Sequence, residues 1–203
     1  MRTRLLAIVA AVLVAVPAVG QSPEQRRDAV TEFSRFFKKY REVSQKVEAI
    51  YTLEGMECVE AGVILVGLLD HKEAEVRAAA MEVVGTFKRP ATFQGLIDGL
   101  PGLRDQRQRA RWIEVLGNAR IEKAVPVLAE LVAKEKRLNV EVKYQIARAM
   151  GNIGDKSVGS TLRVLLADRD PLVCLGASDA VGRLGLTELA TDVIGLLTHK
   201  QWQ

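Results

Sequence analysis

The sequence predicts an all-α protein: an α-solenoid of about four to five helix pairs with an N-terminal capping helix. Apolar-glycine pairs recur at intervals of 32, 34 and 31 residues, and apolar residues between them follow helical spacing. The composition agrees, since the chain is 48% hydrophobic but only 5% aromatic, with abundant Ala, Val and Leu. Such a chain has enough apolar residues to fold, and its small side chains suit closely packed helices.

The first segment of the sequence has the features of a targeting signal. The segment "MRTRLLAIVAAVLVAVPAVGQS" has two arginines, an apolar run over 5–16, a proline and small residues up to Gly20. This is the layout of a secretory signal peptide over residues 1–20, with cleavage after Gly20. The run is shorter than the roughly 20 residues of a membrane span, so we expect no stable span after cleavage. An uncleaved anchor is the alternative. The predicted location is periplasmic or secreted.

A capping helix is predicted next, over residues 21–45. Ser22, Pro23 and Gln25 are typical of a helix start, and neither Gly nor Pro follows before Gly55. Apolar residues recur at steps of three and four: Val30, Phe33, Phe37, Tyr40, Val47 and Tyr51. We expect one long helix, or two nearly continuous ones, covering the exposed end of the array. A partner helix or a membrane surface is the alternative use of this stripe.

The repeat array is predicted over residues 46–203. Its recurring pairs are Val84-Gly85, Leu116-Gly117, Met150-Gly151 and Val181-Gly182, with Gly55 ending a degenerate copy. Each copy is interpreted as a longer amphipathic helix, a glycine that ends it, and a shorter helix. The run "GVILVGLL" over 62–69 fits a strand or a helix by itself, and its register favours a helix.

One copy carries a family resemblance. The phrase Asp70 … Val76-Arg77 … Ala79-Ala80 … Val84-Gly85 resembles the HEAT repeat, and more narrowly the short HEAT-like repeats of the phycobilin lyase group. The resemblance covers about residues 47–199. It implies a ladder of basic residues and turn acids between neighbouring repeats, which here would comprise Asp70, Arg77, Arg109, Lys143 and Asp170 and end where Cys174 replaces the basic residue.

The sequence predicts no catalytic, cofactor or metal site. His71 and His199 lie far apart, and the His-Glu pairs of the family's iron-dependent hydroxylases are missing. Cys58 and Cys174 lie in different repeats, so we expect two unpaired, buried thiols. The net charge of +4 becomes +2 without Arg2 and Arg4, with 27 basic against 25 acidic residues left. That balance does not favour nucleic acid.

The remaining candidate is a surface. In such a stack the longer helices line the concave face, and their outward column mixes both signs of charge, which suits a protein or peptide partner. The full column is Ala79, Glu82, Thr86, Arg111, Glu114, Asn118, Gln145, Arg148, Asn152, Gly176, Asp179 and Arg183. The predicted partner-binding residues are Arg111, Glu114, Tyr144, Gln145, Arg148, Asn152 and Arg183. Trp112 is left out because its register turns it toward the core.

The sequence therefore favours a non-catalytic scaffold or adaptor that binds a protein partner outside the cytoplasm. Two alternatives stay open. One is a bilin-lyase-like enzyme or chromophore-attachment factor, as the resemblance implies. The other is a fragment of a larger HEAT-containing envelope protein.

Overall fold

The computed structural model describes residues 22–135 and 137–196 as helices and turns, with no strand among them. The predicted signal peptide lies outside the described residues. The α-helices are α1 (Pro23–Phe37), α2 (Val43–Tyr51), α3 (Val59–Leu68), α4 (Ala74–Thr86), α5 (Gln94–Gly99), α6 (Gln106–Asn118), α7 (Val125–Lys134), α8 (Val140–Ile153), α9 (Gly159–Leu166), α10 (Pro171–Leu184) and α11 (Ala190–Leu196). Short 3₁₀ turns lie at Pro90–Phe93, Leu100–Gly102, Glu122–Ala124, Lys156–Val158 and Thr187–Leu189.

The helices pack as two compact units that divide between Gly95 and Leu96, within α5. We call them unit 1 and unit 2. The predicted fold class is confirmed: helices pack on helices throughout the described residues in an all-α repeat arrangement.

Unit 1 begins with a capping box. The Ser22 hydroxyl accepts a hydrogen bond from the Gln25 backbone N–H at 3.2 Å, and the Ser22 N–H donates to the Gln25 side chain at 2.8 Å. Two helices follow, separated by residues 38–42. Within this unit α1 packs on α3, and α4 packs on both α2 and α3. Most of the run over 62–69 lies in α3, so it is helical, as its register predicts.

Unit 2 contains two layers. The longer helices α6, α8 and α10 lie side by side, with α8 in contact with both of the others. The shorter helices α7, α9 and α11 form the second layer, and α9 contacts both of its neighbours. Side chains from both layers fill the space between them and are fully buried: Ile113, Leu116, Leu128, Ile146, Met150 and Leu162.

The recurring glycines do not end the helices, so that prediction is wrong. Gly117 and Gly151 lie inside α6 and α8. A Cβ on Gly117 would lie 2.6 Å from Ala149 Cα, and one on Gly151 would lie 3.0 Å from Ala180 Cα. A methyl group does not fit at the first distance without moving backbone. Gly117 and Gly151 therefore allow neighbouring long helices to approach closely, whereas a Cβ on Gly85 or on Gly182 would meet nothing within 4 Å.

The helices of unit 2 end a few residues later. Gly154 and Gly185 follow α8 and α10 with φ of +92° and +64°, the left-handed conformation that glycine adopts at low cost. After α6 the same conformation falls on Arg120, with φ of +53°. The Ile121 N–H closes that turn by donating to the Leu116 carbonyl at 3.0 Å.

Candidate functional site

Six of the seven predicted partner-binding residues lie on one face of the long helices of unit 2. Together with Asn118 and Asp179 they form a surface that we call the polar row. Its members are Arg111, Glu114 and Asn118 on α6, Tyr144, Arg148 and Asn152 on α8, and Asp179 and Arg183 on α10.

Gln145 does not belong to this surface, which corrects the prediction that it points outward. Its side chain is only 5% exposed and donates to Glu141 at 3.0 Å. Gly176, at the same position of the column, is also buried, and a Cβ there would lie 2.8 Å from the Tyr144 ring. Ala79 is likewise buried. At this position of α4, α8 and α10 the residue is buried, whereas Arg111, the equivalent residue of α6, is partly exposed. Trp112 is 8% exposed, as its register predicts.

Hydrogen bonds connect the polar row across three repeats. The Asn152 amide donates to Asn118 at 3.3 Å, and Arg183 donates to the Asn152 carbonyl oxygen at 3.0 Å. Arg183 also pairs with Asp179 at 2.8 Å. These bonds fix the orientation of the Asn152 amide, because its oxygen and its nitrogen face different partners.

The rest of the polar row is held within each helix. Arg111 pairs with Glu114 at 2.9 Å. The Arg148 guanidinium lies 5.7 Å from the centre of the Tyr144 ring. Exposed ion pairs and cation–π contacts contribute at most about 1 kcal/mol each. Their main effect is to orient charged groups at the surface.

The basic residues near the helix starts make a different set of contacts. Arg109 pairs with Glu135, and Lys143 pairs with Asp168 at 2.6 Å. Each acid lies in the turn that leads into the next long helix. A ladder between neighbouring repeats therefore exists, but its acids are Glu135 and Asp168.

Asp170, a predicted member of that ladder, instead caps α10 by accepting from the Leu172 N–H at 2.9 Å. In unit 1, Arg77 donates to the backbone carbonyls of His71 and Lys72 at 2.8 and 3.0 Å.

Cys174, like Arg77, donates hydrogen bonds to backbone carbonyls of the turn before its helix. Its thiol, at the position of the basic residues, donates to the carbonyls of Leu166 and Asp168 at 3.3 and 3.2 Å. The short Cys174 side chain, which is 1% exposed, thus provides a hydrogen-bond donor for these two backbone carbonyls. Cys174 thus keeps the kind of contact that Arg77 makes, a hydrogen bond from its side chain to the backbone of the preceding turn.

The pKa values of Cys58, Cys174 and His71 are shifted in the direction that favours the neutral side chain. Both cysteines are free thiols, and burial raises the pKa of Cys58 and of Cys174. Cys58 is half-buried at the N-cap of α3, so the prediction that it is buried is wrong. His71 packs edge-on against Phe37, with ring centroids 6.2 Å apart, and burial lowers its pKa.

The Lys143–Asp168 pair predicts an acid-sensitive contribution to stability. Burial alone would raise the pKa of Asp168, but the Lys143 ammonium and backbone N–H groups hold it below its usual value. The stabilisation is therefore present above the unfolded pKa of about 3.9 and is lost as pH falls through the lower folded pKa. In urea titrations, the stability difference between wild type and Lys143→Met should shrink between about pH 5 and pH 2.5. A difference that stays constant over that range would contradict the assignment.

Within residues 22–135 and 137–196, no three His, Cys, Asp or Glu side chains gather in a way that would hold a metal ion. None of the helices in the same ranges is long and apolar enough to cross a membrane.

No family model matches the chain, and neither does any curated protein. Among solved structures it is similar to the crystal structure of an engineered protein, at 19% identity, over 90% of this chain and 86% of that one. The TM-score of 0.44 is too low for any conclusion about this chain.

Proposed function

We propose that the chain is a non-catalytic helical-repeat scaffold that binds a protein or peptide partner through the polar row, outside the cytoplasm. The observation that carries the proposal is the hydrogen-bonded series Asn118–Asn152–Arg183. It positions polar groups from three repeats at one surface before any partner arrives. Such preorganisation lowers the entropic cost of association.

The chemistry of the row supports a protein partner. Arg148 presents a guanidinium beside the Tyr144 ring, and arginine and tyrosine are enriched where binding energy concentrates. The row also contains Glu114 and Asp179. A surface with both signs of charge matches another mixed surface better than a uniform polyanion. Raised thiol pKa values at Cys58 and Cys174 support a role without nucleophilic catalysis.

Charge reversal tests the proposal. The double variant Arg111→Glu, Arg148→Glu should weaken partner binding by more than about 2 kcal/mol, roughly thirtyfold, because it places like charges at the centre of the interface. The partner is first isolated from the envelope fraction of the source with wild-type protein. Dissociation constants are then measured by calorimetry, with circular dichroism to verify the helices.

The matched control is Lys38→Glu, Lys39→Glu, which makes the same change in charge at exposed positions just after α1. It should leave the affinity within about twofold of wild type. If the lysine pair lowers the affinity and the arginine pair does not, the binding surface is near α1 and the proposal fails.

A further inference from the structure

The stripe of α10 that carries Leu175, Ser178 and Gly182 is not covered by another helix within the described residues. Leu175 is 52% exposed, and a Cβ on Gly182 would meet nothing within 4 Å. The three residues follow each other at steps of three and four, so they share one side of the helix. None of them is charged, and none belongs to the polar row.

In α8 the equivalent stripe is covered by α10. Its residues, 31 positions earlier, are Tyr144, Ala147 and Gly151. A Cβ on Gly176 would lie 2.8 Å from the Tyr144 ring and 3.5 Å from Ala147 Cβ. One on Gly151 would lie 3.0 Å from Ala180 Cα. Later residues of α8 contact later residues of α10, so the two helices run in the same direction. The stripe of α10 therefore continues a surface that elsewhere in the chain accepts a parallel helix.

The shorter helices differ in the same way. Arg163 of α9 forms an ion pair with Asp192 of α11 at 3.1 Å. The residue of α11 equivalent to Arg163 is Ile194, which is 63% exposed. We call the combined surface of the two helices the open face; its members are Leu175, Ser178, Gly182 and Ile194. The outer face of a terminal repeat is polar where it stays in water, so exposed leucine and isoleucine here favour a partner.

We propose that the open face binds a helix pair of another protein, with its longer helix parallel to α10. The contacts between α8 and α10 define what that helix carries. An alanine lies opposite Gly182, as Ala180 lies opposite Gly151. The shorter helix of the partner carries an apolar residue against Ile194, because no charge is present there to pair with an acid such as Asp192.

The longer helix of the partner has a second requirement. Leu175 occupies the position of Tyr144, whose ring lies too close to Gly176 for a side chain there. The partner therefore has a glycine or an alanine four residues before its alanine, as Gly176 stands four residues before Ala180. This spacing places both small residues on one side of the partner helix.

A second copy of this chain does not provide the matching helix. Ala149 and Ala180 already lie against Gly117 and Gly151 inside the chain. The equivalent residue of α6 is Val115, which is 3% exposed. The occupant is therefore a different protein.

The test uses the full chain and a synthetic peptide as the probe. The peptide has the sequence of residues 168–196, the helix pair that packs on α8 and α9, with Leu175→Gln, Ile194→Gln and Asp192→Leu. The first two changes remove its own open face, and the third places an apolar residue against Ile194 of the chain. Under reducing conditions, the fluorescence anisotropy of the labelled probe should give a dissociation constant of roughly 0.1 mM. No saturable change up to about 1 mM would overturn the proposal.

Variants on both sides identify the contact. In the probe, Ala180→Leu should weaken binding about tenfold, because a larger side chain does not fit against α10 at Gly182. Gly182→Leu in the chain should have a similar effect for the same reason. Ala133→Leu adds bulk at an exposed position of α7 and should leave the affinity within about twofold. Equal affinities of the probe and its Ala180→Leu form, or an equal loss in both chain variants, would contradict the proposed contact.

Two further measurements distinguish other occupants of the open face. Sedimentation of the chain alone should show no self-association that Leu175→Gln removes; a dimer that this variant dissociates would assign the face to a second copy. A chain that ends at Leu196 should bind the probe within about twofold of the full chain. Much tighter binding by the shorter chain would mean that residues 197–203 occupy the face. Either of these results would overturn the proposal.

Discussion

Gly117→Val is expected to destabilise unit 2 by more than about 3 kcal/mol. A Cβ at this position would lie 2.6 Å from Ala149 Cα and 2.7 Å from Ala149 Cβ. The obstacle is backbone, so no side-chain rotation relieves the clash, and the two γ-methyl groups of valine enlarge it. The helices α6 and α8 would have to move apart along their whole contact.

Alanine at the same site provides the sharper comparison. Gly117→Ala should destabilise, although alanine is the better helix former. Gly182 occupies the equivalent position in α10, and a Cβ there meets nothing within 4 Å. Gly182→Ala should therefore stabilise the protein by about 0.5–1 kcal/mol. Urea unfolding followed by circular dichroism measures both, and shifts of the same sign would show that close approach is not the function of Gly117.

Leu116→Ala is expected to cost about 2–5 kcal/mol. Leu116 is fully buried between the two layers of unit 2, where truncation removes apolar contacts and leaves a cavity. The same substitution at Leu175, which is 52% exposed on α10, provides the control and should change stability by less than about 0.5 kcal/mol. Similar losses at both positions would mean that helix propensity, and not burial, determines the response.

The sequence is sufficient to predict an all-α repeat and the buried face of its long helices. Apolar spacing identified the buried face correctly at Val76, Val142 and Ile146, all fully buried. It also assigned Trp112 to the core. Such positions follow from the period of the helix alone, because a residue on the inner face of one copy is on the inner face of all.

The role of the recurring glycines could not be predicted in this way. A glycine near a helix end fits two requirements, a left-handed turn and a close approach, and the sequence does not distinguish them. Gly154 and Gly185 show the first, while Gly117 and Gly151 show the second. The decision depends on the distance between helices, which depends on side chains more than thirty residues away, such as Ala149.

Part of the candidate site could not be predicted either, because it depends on contacts between residues that are distant in the sequence. Its position around α8 predicts an outward Gln145, but the side chain is only 5% exposed, and α8 is in contact with two other long helices. A cleft lined by Arg104, Gln106, Arg109, Glu135 and Arg137 could not be predicted either, because its residues come from two separate segments of the sequence. Only the density of basic residues in "DQRQRARW" and "KEKR" pointed toward it.

The glycine and alanine contacts give each long helix two unlike sides. In α8, Ala149 enters the gap left by Gly117, and Gly151 leaves the gap that Ala180 enters. The helix therefore carries both a protruding methyl and the recess that receives one. A tandem duplication of α8 and α9 would meet its own copy with matching shapes, but only in the original order along the chain. Lengthening by duplication is thus compatible with this packing, whereas inverting a repeat would set methyl against methyl.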